Sequence, residues 1–440
     1  MGSKPTLTYS QIFKFWLPLA ATWLMMAIEG PFLAAIIARL TDEKINLAAY
    51  GVAFAFALVA ESPIIMLMSA STALCRDSNS YCTLRNFSFL LSIIVTVLLG
   101  IFLIPAIFNF FILNLLDLPP SIASLTHTAL LCLAPWPGAI GLRRFYQGIM
   151  IAQHQTRLIA VSTVLRLGTM AGCALTLYQF STIAGAIIGA IALSTGVVAE
   201  AILTRFMARH AIAATLSADT STMQQLSYRD ICDYYLPLAL TPFIGLSIHP
   251  LVTFFLGKSR DPIESLAVMP VIYGLTFVFR AIGISYQEVA IALLGENRDN
   301  YPKIRNFAIV LGTLTSTSLF LIAFTPLSTL WFQGVSGLNN VLAGFATVPL
   351  QIMAIFPALT VLVCFQRSVL IVTRATKPIS IATAIEAFVI FAILLLSFNY
   401  FPLSGAIAAT IAYVIGRLLA IAALQRPLIP QLKQLTRKLD

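Results

Sequence analysis

GAIIGAIALSTG, residues 185–196, returns 220 positions later as GAIAATIAYVIG, residues 405–416. The two stretches share Gly185-Ala186-Ile187 with Gly405-Ala406-Ile407, Ile191-Ala192 with Ile411-Ala412, and Gly196 with Gly416. Working outward without a gap, the same displacement superimposes Pro137 on Pro357, Phe145 on Phe365, Ile151 on Ile371, Thr156 on Thr376, Ile159 on Ile379 and Thr163 on Thr383. Nearer the start of each copy the displacement is 219, which aligns Leu17-Pro18-Leu19-Ala20 with Leu236-Pro237-Leu238-Ala239, Pro31 with Pro250, and Leu47-Ala48 with Leu266-Ala267. Apolar segments match one another by chance, so no single identity decides the matter. A common register over whole half-chains does: the sequence is a duplication.

What is duplicated is a bundle of membrane helices. Of the 440 residues, 59% are hydrophobic and 10% charged, against roughly 25% charged in soluble domains. So little polar surface cannot cover a water-exposed fold, which excludes soluble enzymes, disordered chains and nucleic-acid modules. The net charge of +10 is then read as basic residues placed in cytoplasmic loops. A span needs about 20 apolar residues, and twelve runs qualify, the first at about 10–40 and the last at about 403–425. The first follows Lys4 and Lys14 but continues past Leu33 with no small-residue cleavage site, so it reads as a retained helix. The cysteines show no C-x-x-C spacing and read as packing residues, with no disulfide frame or zinc site.

With the N-terminus inside, the outer loops hold only Arg39, Lys44, Lys258 and Arg260, and the other loop cations fall on the inner side. That bias places both termini in the cytoplasm. The loops are short except near the chain's midpoint, where Ser, Thr, Gln and Asp dominate. The expected organisation is an N-lobe over 1–210 with helices 1–6, a cytoplasmic linker over 211–228, and a C-lobe over 229–440 with helices 7–12. Six helices per copy is an even number, so both lobes share one topology and are related by an axis along the membrane normal. Short loops and compact ends suggest a bacterial inner membrane.

Two six-helix lobes of parallel topology, with a proline-marked first helix and a linker between them, resemble the superfamily of multidrug and toxic-compound extrusion (MATE) proteins and polysaccharide-lipid flippases (MOP). Within it, Trp16-Leu17-Pro18-Leu19-Ala20, Glu29-Gly30-Pro31 and Leu47-Ala48-Ala49-Tyr50-Gly51-Val52-Ala53 most resemble the progressive ankylosis (ANKH-like) family. Support comes from the stretch from Met68 to Asp77 and from Leu133-Ala134-Pro135. That resemblance implies a MATE-like, all-α membrane fold and export of anionic metabolites such as pyrophosphate, nucleotide phosphate or citrate. Glu29-Gly30-Pro31 differs in spacing from the acidic first-helix motif of MATE pumps, so a drug/proton antiport mechanism does not transfer directly.

A charge in hydrocarbon costs roughly 3 kcal/mol on insertion scales, so intramembrane charges are normally paired or face a wet cavity. In helix 4, Pro135-Trp136-Pro137-Gly138 should bend the chain just before Arg143 and Arg144. That pair is either an anion-facing cavity wall, since guanidinium forks grip phosphate and carboxylate bidentately, or an anchor to lipid headgroups. In helix 8, Tyr273, Arg280 and Gln287 are seven apart and share a stripe, with Arg280 near mid-span. The 219 displacement sets Arg280 opposite Glu61, which is compatible with an interlobe ion pair or with two separate partnerships inside the lobes. Arg367 completes the candidate anion-binding set, although it, Glu200, Glu288 and Arg417 lie where side chains can snorkel to the cytoplasmic face. Glu29, Glu61 and His249 are the candidates for coupling or gating, with H+ or Na+ as the coupling ion. Arg166 corresponds to Glu386 on helices read as peripheral.

The leading expectation is a secondary transporter that exports a small anion by alternating access around a basic cavity. Its partners are the solute and the bilayer, with no nucleic acid, no cofactor and no metal, and the chain is read as a monomer. No Walker A sequence is present, so coupling would come from an ion or substrate gradient. A lipid-linked oligosaccharide flippase and a proton- or sodium-coupled multidrug antiporter are the alternatives. An enzyme is not expected, because the four histidines are scattered singly.

Overall fold

The structure is a computed structural model that describes residues 7–37, 39–115, 119–217, 226–296, 298–336, 338–400 and 403–436. These residues form helices and turns, with no strand among them. Twelve helical spans, from Tyr9–Ile37 to Gly405–Leu432, are long and apolar enough to cross a membrane. This is a multi-pass membrane protein.

The elements of the first copy are α1 (Tyr9–Ile37), α2 (Glu43–Glu61), α3 (Leu67–Leu74), α4 (Ser78–Phe102), α5 (Pro105–Asn109), α6 (Pro120–Cys132), α7 (Trp136–Ala152), α8 (Thr156–Phe180), α9 (Gly185–Met207) and α10 (Arg209–Leu216). The second copy comprises α11 (Tyr228–Lys258), α12 (Pro262–Glu296), α13 (Tyr301–Phe324), α14 (Leu327–Thr329), α15 (Asn340–Met353), α16 (Phe356–Val372), α17 (Lys377–Tyr400) and α18 (Gly405–Thr436). Several spans are built from two helices. Pro135 and Pro137 flank the start of α7, where the missing backbone donors end α6 at Cys132 and restart the helix at Trp136.

The duplication read from sequence is visible atom by atom. Among the described residues, the four non-glycine residues with positive φ fall into two pairs at the two displacements: Asp42 (55°) with Asp261 (45°), and His154 (58°) with Arg374 (60°). Left-handed backbone is unfavourable for an L side chain, so its recurrence at matched positions marks a shared chain path. The π-helical segments Phe110–Leu115 and Leu330–Val335 correspond too. Asn46 Oδ1 accepts the Ala186 amide at 2.8 Å, and Ser265 Oγ accepts the Ala406 amide at 3.2 Å. Gly196 and Gly416 let paired helices close up: an added Cβ would lie 3.1 Å from the Arg166 carbonyl in one case and 3.1 Å from the Glu386 carbonyl in the other.

Two compact units result, Ala21–Tyr235 (the N-terminal unit) and Met1–Ala20 with Leu236–Asp440 (the C-terminal unit). Where the sequence suggested a cut over 211–228, the units part inside α1 and α11. The physical reason lies in the first turns of those helices. Trp16 Nε1 donates to Ser285 Oγ at 2.9 Å, its ring lies 5.9 Å from Phe307, and Lys303 Nζ donates to the Leu7 carbonyl at 2.7 Å, all inside the C-terminal unit. In the N-terminal unit Tyr235 Oη donates to the Pro63 carbonyl at 2.6 Å and its ring lies 5.4 Å from Phe87. Trp16 and Tyr235 are duplicates, as are Phe87 and Phe307. Of the expected linker, 211–216 continue α10 and 218–225 lie outside the described residues.

Candidate functional site

Each unit contains a buried cluster of charge, and the two clusters are built on corresponding helices with different polarity. In the N-terminal unit the centre is Glu200 on α9, fully buried at 0% exposure. It pairs with Arg143 of α7, and accepts from Gln147 Nε2 at 3.3 Å, Ser162 Oγ at 3.3 Å, Thr163 Oγ1 at 3.1 Å and Arg166 Nη1 at 3.4 Å. The other terminal nitrogen of Arg166 holds Glu29 of α1. Arg143 and Arg166 thus face Glu29 and Glu200, a neutral set whose desolvation is offset by mutual attraction and charge-assisted hydrogen bonds. The sequence suggested that Glu200 snorkels; it is instead the deepest member of the network, because α8 and α9 close over it at Gly196.

Around this network sit the other candidates of the N-terminal unit. Glu61 accepts a hydrogen bond from Trp136 Nε1. The guanidinium of Arg144 is buried, lies 5.9 Å from the Trp23 ring centroid and donates to Met68 Sδ at 3.6 Å. Arg143, read from the sequence as part of a cavity wall or a headgroup anchor beside the α6–α7 break, is paired with a carboxylate of its own unit.

The C-terminal unit reverses this arrangement. At the position corresponding to Glu61 stands Arg280, and at that of Trp136 stands Phe356. Indole N–H to carboxylate becomes guanidinium over ring: the Arg280 and Arg417 guanidinium carbons each lie 4.9 Å from the Phe356 centroid, a cation–π arrangement that favours positive charge. Gln147 is replaced by Arg367, whose Nη2 donates to Thr383 Oγ1 at 2.9 Å. Arg166 is replaced by Glu386, which accepts from Arg417 Nε at 2.8 Å. Arg280 and Arg367 have no carboxylate within ion-pair distance among the described residues, and the Nε atom of each is buried without a hydrogen-bond partner. Both side chains are only half-buried, so their outer nitrogens remain reachable.

Aromatic rings border the cluster. His249 lies 5.3 Å from Tyr273, Tyr273 lies 5.3 Å from Tyr413, and Tyr413 lies 6.2 Å from Phe356. Gln287, two turns beyond Arg280 on α12, is buried, and its carbonyl accepts the Ser368 hydroxyl at 3.0 Å. Arg280, Arg367 and Tyr273 are therefore brought together with His249, whereas Arg143, Arg144, Glu29 and Glu61 belong to the other unit. Glu200, Arg166, Glu386 and Arg417 are members of the two charge clusters that the candidate set omitted. Their signal was present in the correspondence of Arg166 with Glu386 and in Gly416-Arg417 at the strongest repeat.

The fold agrees with solved transporter structures over nearly the whole chain. An outward-facing multidrug resistance MATE family transporter of the MOP superfamily superimposes with a TM-score of 0.79 at 16% identity, covering 96% of this chain and 96% of that one. The fold is that of MATE transporters. A eukaryotic MATE transporter matches over 98% of this chain and 99% of its own, with a TM-score of 0.76 at 15% identity. A MOP superfamily transporter from Pyrococcus furiosus, described by a reversed polarity of its binding pocket that suggests a different function, gives a TM-score of 0.77 at 16% identity over 97% of this chain and 96% of its own. No protein-family model and no curated protein matches the sequence.

Proposed function

We propose that this protein is a secondary transporter that exports a small anionic solute, of the pyrophosphate, nucleotide or carboxylate class, by alternating access. One observation carries the reading: in the C-terminal unit Arg280 and Arg367 are held beside Arg417 with no carboxylate of their own. A half-buried guanidinium whose Nε is unpartnered and which has no counter-charge is costly, and a bidentate oxyanion supplies what is missing. Tyr273 and His249 border the same place and contribute donors. The resemblance to progressive ankylosis proteins implies the same cargo class, and the reversed pocket of the Pyrococcus furiosus relative is a precedent for a change of polarity on this fold. In the N-terminal unit, Glu29, tied to α8 through Arg166, is the group through which H+ or Na+ would couple, and Glu61 and His249 gate. The setting is a bacterial inner membrane, with a monomer whose termini are cytoplasmic.

The likeness to multidrug transporters favours a second reading, an antiporter of organic cations. Reconstitution separates the two. Proteoliposomes are assayed with pyrophosphate, a nucleotide, citrate and a cationic dye, with and without imposed pH and Na+ gradients. The anion reading expects saturable anion flux that falls at least about tenfold in Arg280→Gln, since one charged hydrogen-bonding partner contributes roughly that much. Dye transport with no anion flux would replace it with the multidrug reading.

A further inference from the structure

The C-terminal unit has a second basic recess, separate from the arginine cluster and at the ends of α11 and α18 away from Tyr228 and Thr436. It is a half-open cavity of about 270 Å³ between the end of α11, the end of α17 and the start of α18, lined among others by Lys258, Ser259, Arg260, Ser397 and Gly405. Two of the four cations that the sequence assigns to outer loops therefore line one pocket. The duplication provides an internal control for what is special here. At the corresponding places the N-terminal copy has Leu40 for Ser259, Thr41 for Arg260 and Leu177 for Ser397. Both copies carry a cation here, Arg39 matching Lys258, but in the first copy Ile37 and Leu40 cover Gly185 with apolar side chains, whereas the second has Ser259, Arg260 and Ser397 at the recess.

Three features of the recess point to one ligand chemistry. First, α18 is 32 residues long and begins at Gly405, so its dipole presents positive charge to the cavity, although the Ala406 and Ala408 amides already donate to Ser265 Oγ and the Ser404 carbonyl. Gly405 has a structural reason: a Cβ there would lie 2.7 Å from Ser259 Cβ, so only glycine lets the Lys258–Arg260 turn approach the helix end. Second, Ser397 is only 8% exposed, lines the cavity, and makes no hydrogen bond among the described residues. A hydroxyl inside a helix normally donates to the carbonyl four residues back, and buried polar groups are rarely left unpaired. Ser404 Oγ, at the same helix end, is buried and unpaired, whereas the Ser397 oxygen is not among the sealed, unpartnered atoms and opens on the cavity. Third, the Lys258 ammonium is exposed and rests 4.4 Å from the Phe254 centroid, which holds it at the cavity mouth without neutralising it.

We infer that this recess is a binding site for a phosphate-type oxyanion, held by Lys258 and Arg260, by the Ser397 hydroxyl and by the positive end of the α18 dipole. The oxyanion is either free in solution or the headgroup of an anionic phospholipid, and the chemistry that recognises it is the same. The site is independent of Arg280 and of the transport reading.

The test uses the full-length protein in phosphate-free detergent micelles and in nanodiscs. In micelles, 31P line broadening of inorganic phosphate and pyrophosphate measures the free anion; in nanodiscs of phosphatidylcholine with graded phosphatidylglycerol, native mass spectrometry measures retained anionic lipid. Variants are Lys258→Gln/Arg260→Gln, whose exposed side chains can change without disturbing the fold, Ser397→Val, and Arg280→Gln as the control for the central cluster. Saturable binding in either arm that weakens at least about tenfold in the double variant and severalfold in Ser397→Val, while persisting in Arg280→Gln, supports the site. Which arm responds identifies the source of the oxyanion. No saturable binding in either arm, or binding that the double variant leaves intact, overturns the inference. Loss in Arg280→Gln alone overturns it while leaving the anion-transport reading standing.

Discussion

Glu200→Gln is the most informative single change in the N-terminal unit. The substitution keeps shape and removes one negative charge from a position with 0% exposure. Arg143 and Arg166, 2% and 3% exposed, then share only Glu29, and the new amide turns an N–H group toward hydroxyls and guanidinium nitrogens that had been donating. Removing one partner of a buried ion pair costs about 3–5 kcal/mol. At about 2 °C per kcal/mol for a unit of this size, the melting temperature falls by about 6–10 °C. Buried thiols report it directly. Cys75 in the N-terminal unit and Cys364 in the C-terminal unit are buried, so a thiol-reactive dye scanned against temperature in a Cys364→Ala background follows the N-terminal unit. The double variant Glu200→Gln/Arg143→Met restores neutrality and should recover at least half of the loss, because the pair's cost is mostly that of the stranded charge. A single-variant shift below about 2 °C, or a double variant less stable than the single, would refute the argument that charge balance holds α7, α8 and α9 together.

The remaining predictions follow from individual contacts. Trp136→Phe removes the indole donor from Glu61 and should cost about 1–3 kcal/mol by thiol-dye melting, the penalty for an unsatisfied buried carboxylate; an unchanged midpoint would mean the hydrogen bond is not formed. Asp77 caps α4 by accepting the Ser80 amide at 2.8 Å, so Asp77→Ala should cost about 1 kcal/mol and Asp77→Asn clearly less. In Gly416→Val the Cβ would lie 2.9 Å from Ile390 Cγ1 and 3.1 Å from the Glu386 carbonyl, forcing α17 and α18 apart. Its expected cost is about 1–3 kcal/mol, with Gly196→Val costing a similar amount by symmetry; indifference of both would deny the close approach.

The duplication was the most legible feature of the sequence, because a shared register survives even where apolar identities are individually uninformative. Asp42 with Asp261 and His154 with Arg374 confirm it in backbone geometry, a signal invisible to side-chain identity in the second pair. Charge partnerships were less legible, for a physical reason: Arg166 and Glu29 are 137 positions apart and Arg143 and Glu200 are 57 apart, so no helical periodicity links them. Position along a span was also misleading for Glu200. Its place near a helix end suggested snorkelling, whereas packing across Gly196 buries it. Arg143 and Arg144 looked alike as neighbours, yet one helix step sends the first to Glu200 and the second to Trp23 and Met68. The opposition of Glu61 and Arg280 read from the repeat holds as a correspondence. Each takes an aromatic partner inside its own unit, Trp136 for Glu61 and Phe356 for Arg280.

The account stands on a free anion site at Arg280, Arg367 and Arg417, and a heavy oxyanion locates it most directly. Crystals of the full-length protein grown with tungstate and measured at a wavelength where tungsten scatters anomalously should show a peak within hydrogen-bond reach of Arg280. That peak should vanish in Arg280→Gln crystals under the same conditions. An Arg280 environment that excludes tungstate at saturating concentration, or that holds an organic cation in its place, would contradict the account.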